Sequence, residues 1–240
     1  MNSVRKPPIS EVLDIKSVAI IGVSPGMGYY WSHSMLQWDH DLSVYLVSLS
    51  GGEILGKPVY KSVLDIPEDI DYAIVAVPHR AVEQVLVEVV EKRAKGATVF
   101  TSGYAELGTE EGRAREESLK KLTDSLPLRV FGPNCMGLMY PRIGFAFMPT
   151  VKRLSGNVGF LSQSGGVVIT SYTAAVEAGI GFSKIFSFGN SIDIYPSELL
   201  DYFEQDEETD VIGLYIEGTE HGQHLLHSLE RVARKKPVVA

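Results

Sequence analysis

GFLSQSGGVV, residues 159–168, is an apolar strand-like run that ends in a small, polar turn and passes directly into a helix-forming segment. A turn of this kind leaves backbone N–H groups free at a helix start, where the helix dipole also favours negative charge. VAIIGVSPGMG, residues 18–28, has the same design near the start of the chain. Two such turns so far apart in one chain raise the question of which anion each receives.

The remaining sequence keeps that rhythm. Short Val/Ile-rich runs alternate with longer amphipathic segments, the pattern of a parallel sheet covered by helices. In the first half the expected strands are residues 17–22, 43–48, 71–77, 97–102 and 128–132, with helices near 30–38, 62–66, 79–94 and 109–124. Val82, Val85, Leu86, Val89 and Val90 fall on one face of the third of these helices. Residues 138–156, LMYPRIGFAFMPTVKRLSG, break the rhythm and read as an inter-domain crossing. It resumes with strands at 157–162, 182–188 and 211–217, helices at about 165–178, 196–205 and 221–235, and a strand-like PVVA at the end.

Composition narrows the function. A formal charge of −8 over 240 residues argues against a nucleic-acid surface, which needs clustered Lys and Arg. No apolar run approaches the ~18 residues of a membrane span, and MNSVRKPPISEVLD lacks the apolar core of a signal peptide. A cytoplasmic protein without membrane partners is expected. A single cysteine, Cys135, excludes an intramolecular disulfide or a Cys-based metal cluster, and reads as a buried small residue rather than a nucleophile. His221, His224 and His227 share one side of a helix, but no second ligand cluster accompanies them, so a solvated or interface face is expected and no metal site.

A glycine-rich turn such as 22–28 closes a strand-to-helix connection as readily as it holds a phosphate. A nicotinamide dinucleotide would also need a carboxylate at the end of the second strand, or an arginine for the phosphorylated ribose. That position reads VSLSGG, with Ser48 and Ser50 and neither group, so a nicotinamide-dependent reductase is disfavoured. YYWSHSMLQW (29–38) and FAFMP (145–149) are candidates for lining an acyl or pantetheine pocket, though core packing is the commoner use of such residues.

The ordered set GVSPGMG, EILGKPVYKSVLDIPEDIDYAIVAVP, TSGYAELG, FGPNCMG, GFLSQSGG, SFGN and YIEG resembles the NDP-forming acyl-CoA synthetases. The similarity runs from about Val18 onward and is to their CoA-binding part, shared with the succinyl-CoA synthetase alpha subunit. It implies a Rossmann-like CoA-binding domain over residues 1–145, followed by an incomplete flavodoxin-like, succinyl-CoA synthetase-like domain over 146–240. It further implies that acyl-CoA, phosphate and a nucleoside diphosphate are interconverted with an acid, CoA and a nucleoside triphosphate, through an acyl phosphate and a phosphohistidine. Mg and the nucleotide belong to a partner ATP-grasp unit, a beta-type subunit or domain, and an oligomeric assembly follows from that pairing.

On the matching motifs, the resemblance assigns CoA binding to Gly22, Ser24, Pro25 and Gly26 of the first turn, and to Ser48 after the second strand. It extends the site to Val77 and Pro78, to Ser102, Gly103 and Glu106, with Ala105 in the same loop, and to Asn134. Ser162, Gln163, Ser164 and Gly165 match a turn facing the active-site phosphate, and Gly189 and Asn190 match a neighbouring turn. Glu217 matches the carboxylate that orients the phosphohistidine.

Two departures stand out. Where the family commonly carries a lysine after the second strand, this chain has Ser48, Leu49 and Ser50, so CoA binding needs a substitute cation such as Lys57, Lys61 or Arg80. The family's phosphorylated histidine follows the strand that begins here as KKPVVA, and none of the six histidines of this sequence stands in a matching motif. Turnover by these residues alone is not expected. A stand-alone CoA-binding or regulatory module is the alternative.

Overall fold

A computed structural model describes residues 4–24, 29–37, 40–147 and 153–240. Pro25 and Gly26 lie outside the described residues, as do Trp38, Met148 and Pro149 of the aromatic stretches.

The first sheet contains β1 (Ser17–Ile21), β2 (Ser43–Val47), β3 (Gly52–Ile54), β4 (Lys57–Tyr60), β5 (Tyr72–Val75), β6 (Gly96–Val99) and β7 (Arg129–Phe131), in the order β3-β4-β2-β1-β5-β6-β7. Every pairing is parallel except that of β3 with β4. Leaving out β3, the parallel strands run 3-2-1-4-5-6 in chain order, the doubly wound arrangement that binds ligands where the order reverses, between β1 and β5. Helices α1 (Ile9–Val12), α2 (Tyr29–Gln37), α3 (His79–Glu91) and α4 (Glu110–Ser125) accompany it. The strands are apolar on both faces because helices cover both: all four residues of β5 are buried, and Val82, Leu86 and Val89 of α3 pack against the sheet as their spacing predicts.

The second sheet contains β8 (Gly137–Met139), β9 (Ser155–Ser162), β10 (Phe182–Ser187), β11 (Val211–Tyr215) and β12 (Val238–Val239), in the order β12-β11-β9-β10-β8. Its parallel strands follow the flavodoxin-like order, with the reversal between β9 and β11. Helices α5 (Gly165–Glu177), α6 (Pro196–Gln205) and α7 (Gly222–Val232) connect them.

Several local expectations change. Leu138 and Met139, placed by sequence in an irregular crossing, form with Gly137 an antiparallel edge strand on β10, with Phe186 opposite Leu138. KPVY, not expected as a strand, is β4. The predicted helix at 62–66 is a short 3-10 turn, Val63–Asp65, fixed by reciprocal hydrogen bonds between Ser62 and Asp65. Trp31, Met35, Phe145 and Phe147 are fully buried and belong to the core, whereas Tyr30 is exposed.

The two sheets are joined by more than a linker. Phe131 stacks on Phe186 with ring centroids 5.6 Å apart. Asn190 N–H donates to the Pro133 carbonyl at 3.0 Å, and Ile192 N–H to that of Gly132 at 3.2 Å. Gly189, at φ +55°, sits so close to the 132–135 turn that a Cβ there would lie 2.4 Å from the Pro133 oxygen. Arg129 reaches from β7 into the second unit, donating to both carboxylate oxygens of Glu198 and, through Nε, to Asp193.

Candidate functional site

The strand order places both reversal points at the carboxyl ends of their sheets, and the loops there meet. In the first unit, Gly22 follows β1 at φ +96°, where a Cβ would fall 2.3 Å from the Ala76 carbonyl oxygen, so only glycine allows this approach to the loop after β5. Its N–H is spent on the Val47 carbonyl at 2.9 Å. Thr101 laces the next loops together: its hydroxyl donates to the Val77 carbonyl at 2.6 Å, and its own carbonyl accepts from Asn134 N–H at 3.0 Å. Asn134 adopts φ +57° in the turn after β7.

From the second unit, Ser162 ends β9 and its hydroxyl donates to the Ser164 carbonyl at 2.7 Å. Ser164 caps α5, its Oγ accepting from Val167 N–H, which leaves Gly165 and Gly166 as the first helical residues. Gln163 holds the opposite loop: its Oε1 accepts from Glu217 N–H at 2.8 Å and Gly218 N–H at 3.1 Å, and its own N–H donates to the Tyr215 carbonyl.

These loops enclose one cleft of about 670 Å³. Ala76, Val77, Pro78, Thr101, Ser102 and Asn134 line it from the first unit, and Gln163, Ser164, Gly165, Gly166 and Glu217 from the second. Seven residues singled out in the sequence thus meet there with Glu217: Val77, Pro78, Ser102, Asn134, Gln163, Ser164 and Gly165. Phe100, Cys135, Met136 and Ile169 complete the wall, and sequence reasoning assigned none of these four to a site. Ile169 was reachable from sequence, because it lies one helical turn beyond Gly165 on the same face.

Other singled-out residues lie beside the cleft rather than along it. Ser162 is buried behind the turn it shapes. Ser24 is exposed at the last described position after β1. Ser48 follows β2, with its hydroxyl 3.1 Å from that of Ser50. Gly103 and Glu106 brace their own loop: Glu106 Oε1 accepts from Gly103 N–H at 2.5 Å and Tyr104 N–H at 3.1 Å, while Oε2 accepts from Asn190 Nδ2 at 2.8 Å. Partial burial alone would raise the Glu106 carboxyl, but the Asn190 and backbone donors outweigh it and hold it below the usual carboxylate range. Gly189 is packed on the 132–135 turn. Asn190 also donates to Glu116 at 2.5 Å and accepts from Asn134 at 3.4 Å; it lines a second pocket of about 320 Å³ that shares Gln163 with the main cleft.

Among the proposed substitute cations, position separates the candidates. Lys61 follows β4 at the ligand end of the sheet, and its side chain lies over Gly51 beside the Ser48–Ser50 turn. Arg80 is exposed in the first turn of α3, after the loop that lines the cleft. Lys57 begins β4, about 13 Å away at the opposite end of the parallel strands, so it cannot serve the same site.

Cys135 is buried, and burial pushes its thiol up to about 12, the state of an inert structural residue. His221 packs edge-on against Tyr195 at 4.5 Å in the smaller pocket, with His224 behind it at 6.1 Å. Among the described residues, no group of three or more His, Cys, Asp or Glu side chains is placed to hold a metal ion. No helix among them is long and apolar enough to cross a membrane.

Two mainly parallel sheets whose reversal points face one another across a single cleft define a paired α/β ligand-binding protein, Rossmann-like in its first unit and flavodoxin-like in its second. Residues 16–141 match the family described as CoA binding domain, and residues 155–240 match the succinyl-CoA ligase like flavodoxin domain. The chain therefore belongs to the CoA-binding domain family, in the form found in the NDP-forming acyl-CoA synthetases. It is 35% identical, over 94% of its length and 50% of the relative's, to the alpha subunit of an ADP-forming acetate–CoA ligase II of Pyrococcus furiosus. It is 39% identical, over 94% of its length and 32% of the relative's, to an ADP-forming acetate–CoA ligase of Methanocaldococcus jannaschii. A Candidatus Korarchaeum cryptofilum acetyl-coenzyme A synthetase 1, solved in complex with phosphate and ADP, superposes with a TM-score of 0.87 at 31% identity, over 96% of this chain and 50% of that one. The chain spans half or less of the length of these relatives.

Proposed function

We propose that this chain is the CoA-binding, alpha-type part of an NDP-forming acyl-CoA synthetase. The observation that carries the reading is the convergence of Val77, Pro78, Ser102 and Asn134 with the Ser164–Gly166 helix start in one cleft. Residues 1–145 form the CoA domain in this reading and residues 146–240 the phosphate domain. The turn at Gly22, Ser24, Pro25 and Gly26, with Ser48, Gly103 and Glu106 supporting the adjoining loops, seats the CoA nucleotide, and Lys61 supplies the cation absent after β2. The pantetheine end then passes Asn134 toward α5.

The amides of Gly165 and Gly166 and the α5 dipole favour an inorganic phosphate at that point. A phosphate oxygen attacks the thioester carbonyl, the C–S bond breaks, and the CoA thiolate leaves an acyl phosphate behind. The chain's contribution is positioning and charge stabilisation. Gln163 fixes the backbone of Glu217, so that this carboxylate meets a phosphohistidine contributed from outside these residues, and a partner ATP-grasp unit holds Mg and the nucleotide. The assembly acts in the cytoplasm. The phosphate and ADP bound to the Korarchaeum relative, and the acetate–CoA ligase names of the other two, support the assignment.

Thermal melts with and without ligand test it. CoA at a hundred times its Kd is expected to stabilise by about 2.7 kcal/mol, or roughly 5–10 °C for a chain of this size, while NAD leaves the curve in place. An unmoved curve at saturating CoA overturns the proposal.

A further inference from the structure

We infer that Met136, Phe100 and Ile169 form the seat for the carbon chain of the acid, and that Met136 limits how long that chain can be. The inference rests on the CoA and phosphate assignments just made. If phosphate sits on the amides at the start of α5 and attacks a thioester, the acyl group lies where the CoA side of the cleft meets Gly165. Met136 occupies that meeting point: a Cβ on Gly165 would lie 2.7 Å from its Cγ. Its backbone is fixed, because Met136 N–H donates to the hydroxyl of Ser187, fully buried at the end of β10.

Ile169 lies one helical turn along α5 from Gly165 and also lines the cleft, and Phe100 faces it from the first unit. Phe100 is backed by Trp31, edge-on at 4.5 Å, so that wall cannot recede. All three side chains are half-buried at the edge of the main core and are the apolar part of an otherwise largely polar cleft lining. Among the described residues lining the cleft, the sole charged side chain is Glu217, itself acidic. A second carboxylate on the substrate would meet Glu217 and no cation among these lining residues, which disfavours a dicarboxylic acid.

The test is equilibrium titration of the 240-residue chain with CoA, acetyl-CoA, hexanoyl-CoA and succinyl-CoA. Wild type is expected to bind acetyl-CoA more tightly than either of the other two acyl-CoAs. Met136→Ala, by removing the flexible thioether, is expected to improve the hexanoyl to acetyl affinity ratio roughly tenfold, the scale on which apolar pockets discriminate. Ile169→Ala opens the apolar part of the cleft from the other wall, should shift the same ratio in the same direction, and keeps the test available if the first variant does not fold. A ratio unmoved in both variants, or succinyl-CoA binding as tightly as acetyl-CoA, overturns the inference while CoA binding still stands. If CoA itself does not bind wild type, the parent proposal falls and this one with it.

Discussion

Replacing Arg129 with alanine should loosen the whole molecule rather than one corner of it. Arg129 is 7% exposed and its guanidinium makes four hydrogen bonds: two to Glu198 at 2.6 and 2.7 Å, one to Asp193 at 3.2 Å and one to the Pro7 carbonyl at 3.3 Å. Burial alone would lower its affinity for a proton, but the Glu198 and Asp193 carboxylates outweigh that and raise it, so the charge is firmly held. Asp193 is equally buried and keeps only Lys6 and Val130 N–H once the arginine is gone. Because Asp193 keeps Lys6 and the Glu198 side chain is 38% exposed, the loss is that of charged hydrogen bonds rather than of an unpaired buried ion, about 1.5–3 kcal/mol. For a protein of this size that is a fall of roughly 3–12 °C in Tm. Because Arg129 lies on β7 while Asp193 and Glu198 belong to the second unit, the melt should also broaden as the two sheets uncouple. Calorimetry of the purified variant measures both effects. A Tm within about 2 °C of wild type, less than a single surface-scale interaction, would refute the reasoning that this cluster clamps the units together.

Two further outcomes concern the ligand side. Lys61→Ala should weaken CoA binding up to about fivefold at low salt, the range of a partly solvated charge contact, and salt should erase the difference, whereas Lys57→Ala at the far end of β4 should leave affinity and salt dependence unchanged; equal losses from both would contradict the placement. The depressed Glu106 carboxyl adds stability that is present above its unfolded value of about 4.3 and is lost as pH falls through the lower folded value. Asn190→Ala removes one of its donors, so thermal melts between pH 3 and 6 should show a smaller acid-induced loss in the variant than in wild type, and an identical pH profile would count against that contact.

Much of the fold was legible because long, fully buried strands write themselves as continuous apolar runs. Val18–Ile21 and Tyr72–Val75 could hardly be anything else. β4 escaped because Lys57 and Pro58 open it, and a four-residue strand with two exposed positions has neither the length nor the apolar continuity of its neighbours. β8 escaped for a different reason: GLM is apolar but only three residues long, and its partner β10 lies far ahead in the sequence. The 3-10 turn at 63–65 reads as a helix start because its Ser62–Asp65 cap is real; what is missing is the apolar periodicity to continue.

The cleft was legible to the extent that strand ends announce themselves by small polar turns. SQSG and the residues after β5, β6 and β7 all arrived where the sheet order sends them. Less visible were the residues that prop those turns, such as Thr101, whose two bonds join three loops, and Gln163, whose side-chain oxygen holds the backbone before Glu217. Their roles depend on contacts between segments remote in sequence. Met136 was hidden in plain view inside GPNCMG, because nothing local distinguishes a thioether that faces a helix start from one that fills a core.

β8 also bears on how such proteins can be rearranged. The stretch that matches the CoA-binding family, 16–141, contains residues 137–139, yet those residues hydrogen-bond to β10 in the other sheet. A gene cut between the two matched regions would carry this strand away with the wrong half. β10, buried along its entire length, would then present an open apolar edge, the kind of surface on which strands from other molecules add. Shuffling by inheritance and separation by folding therefore have different seams here, and a recombined second half would need those three residues to travel with it.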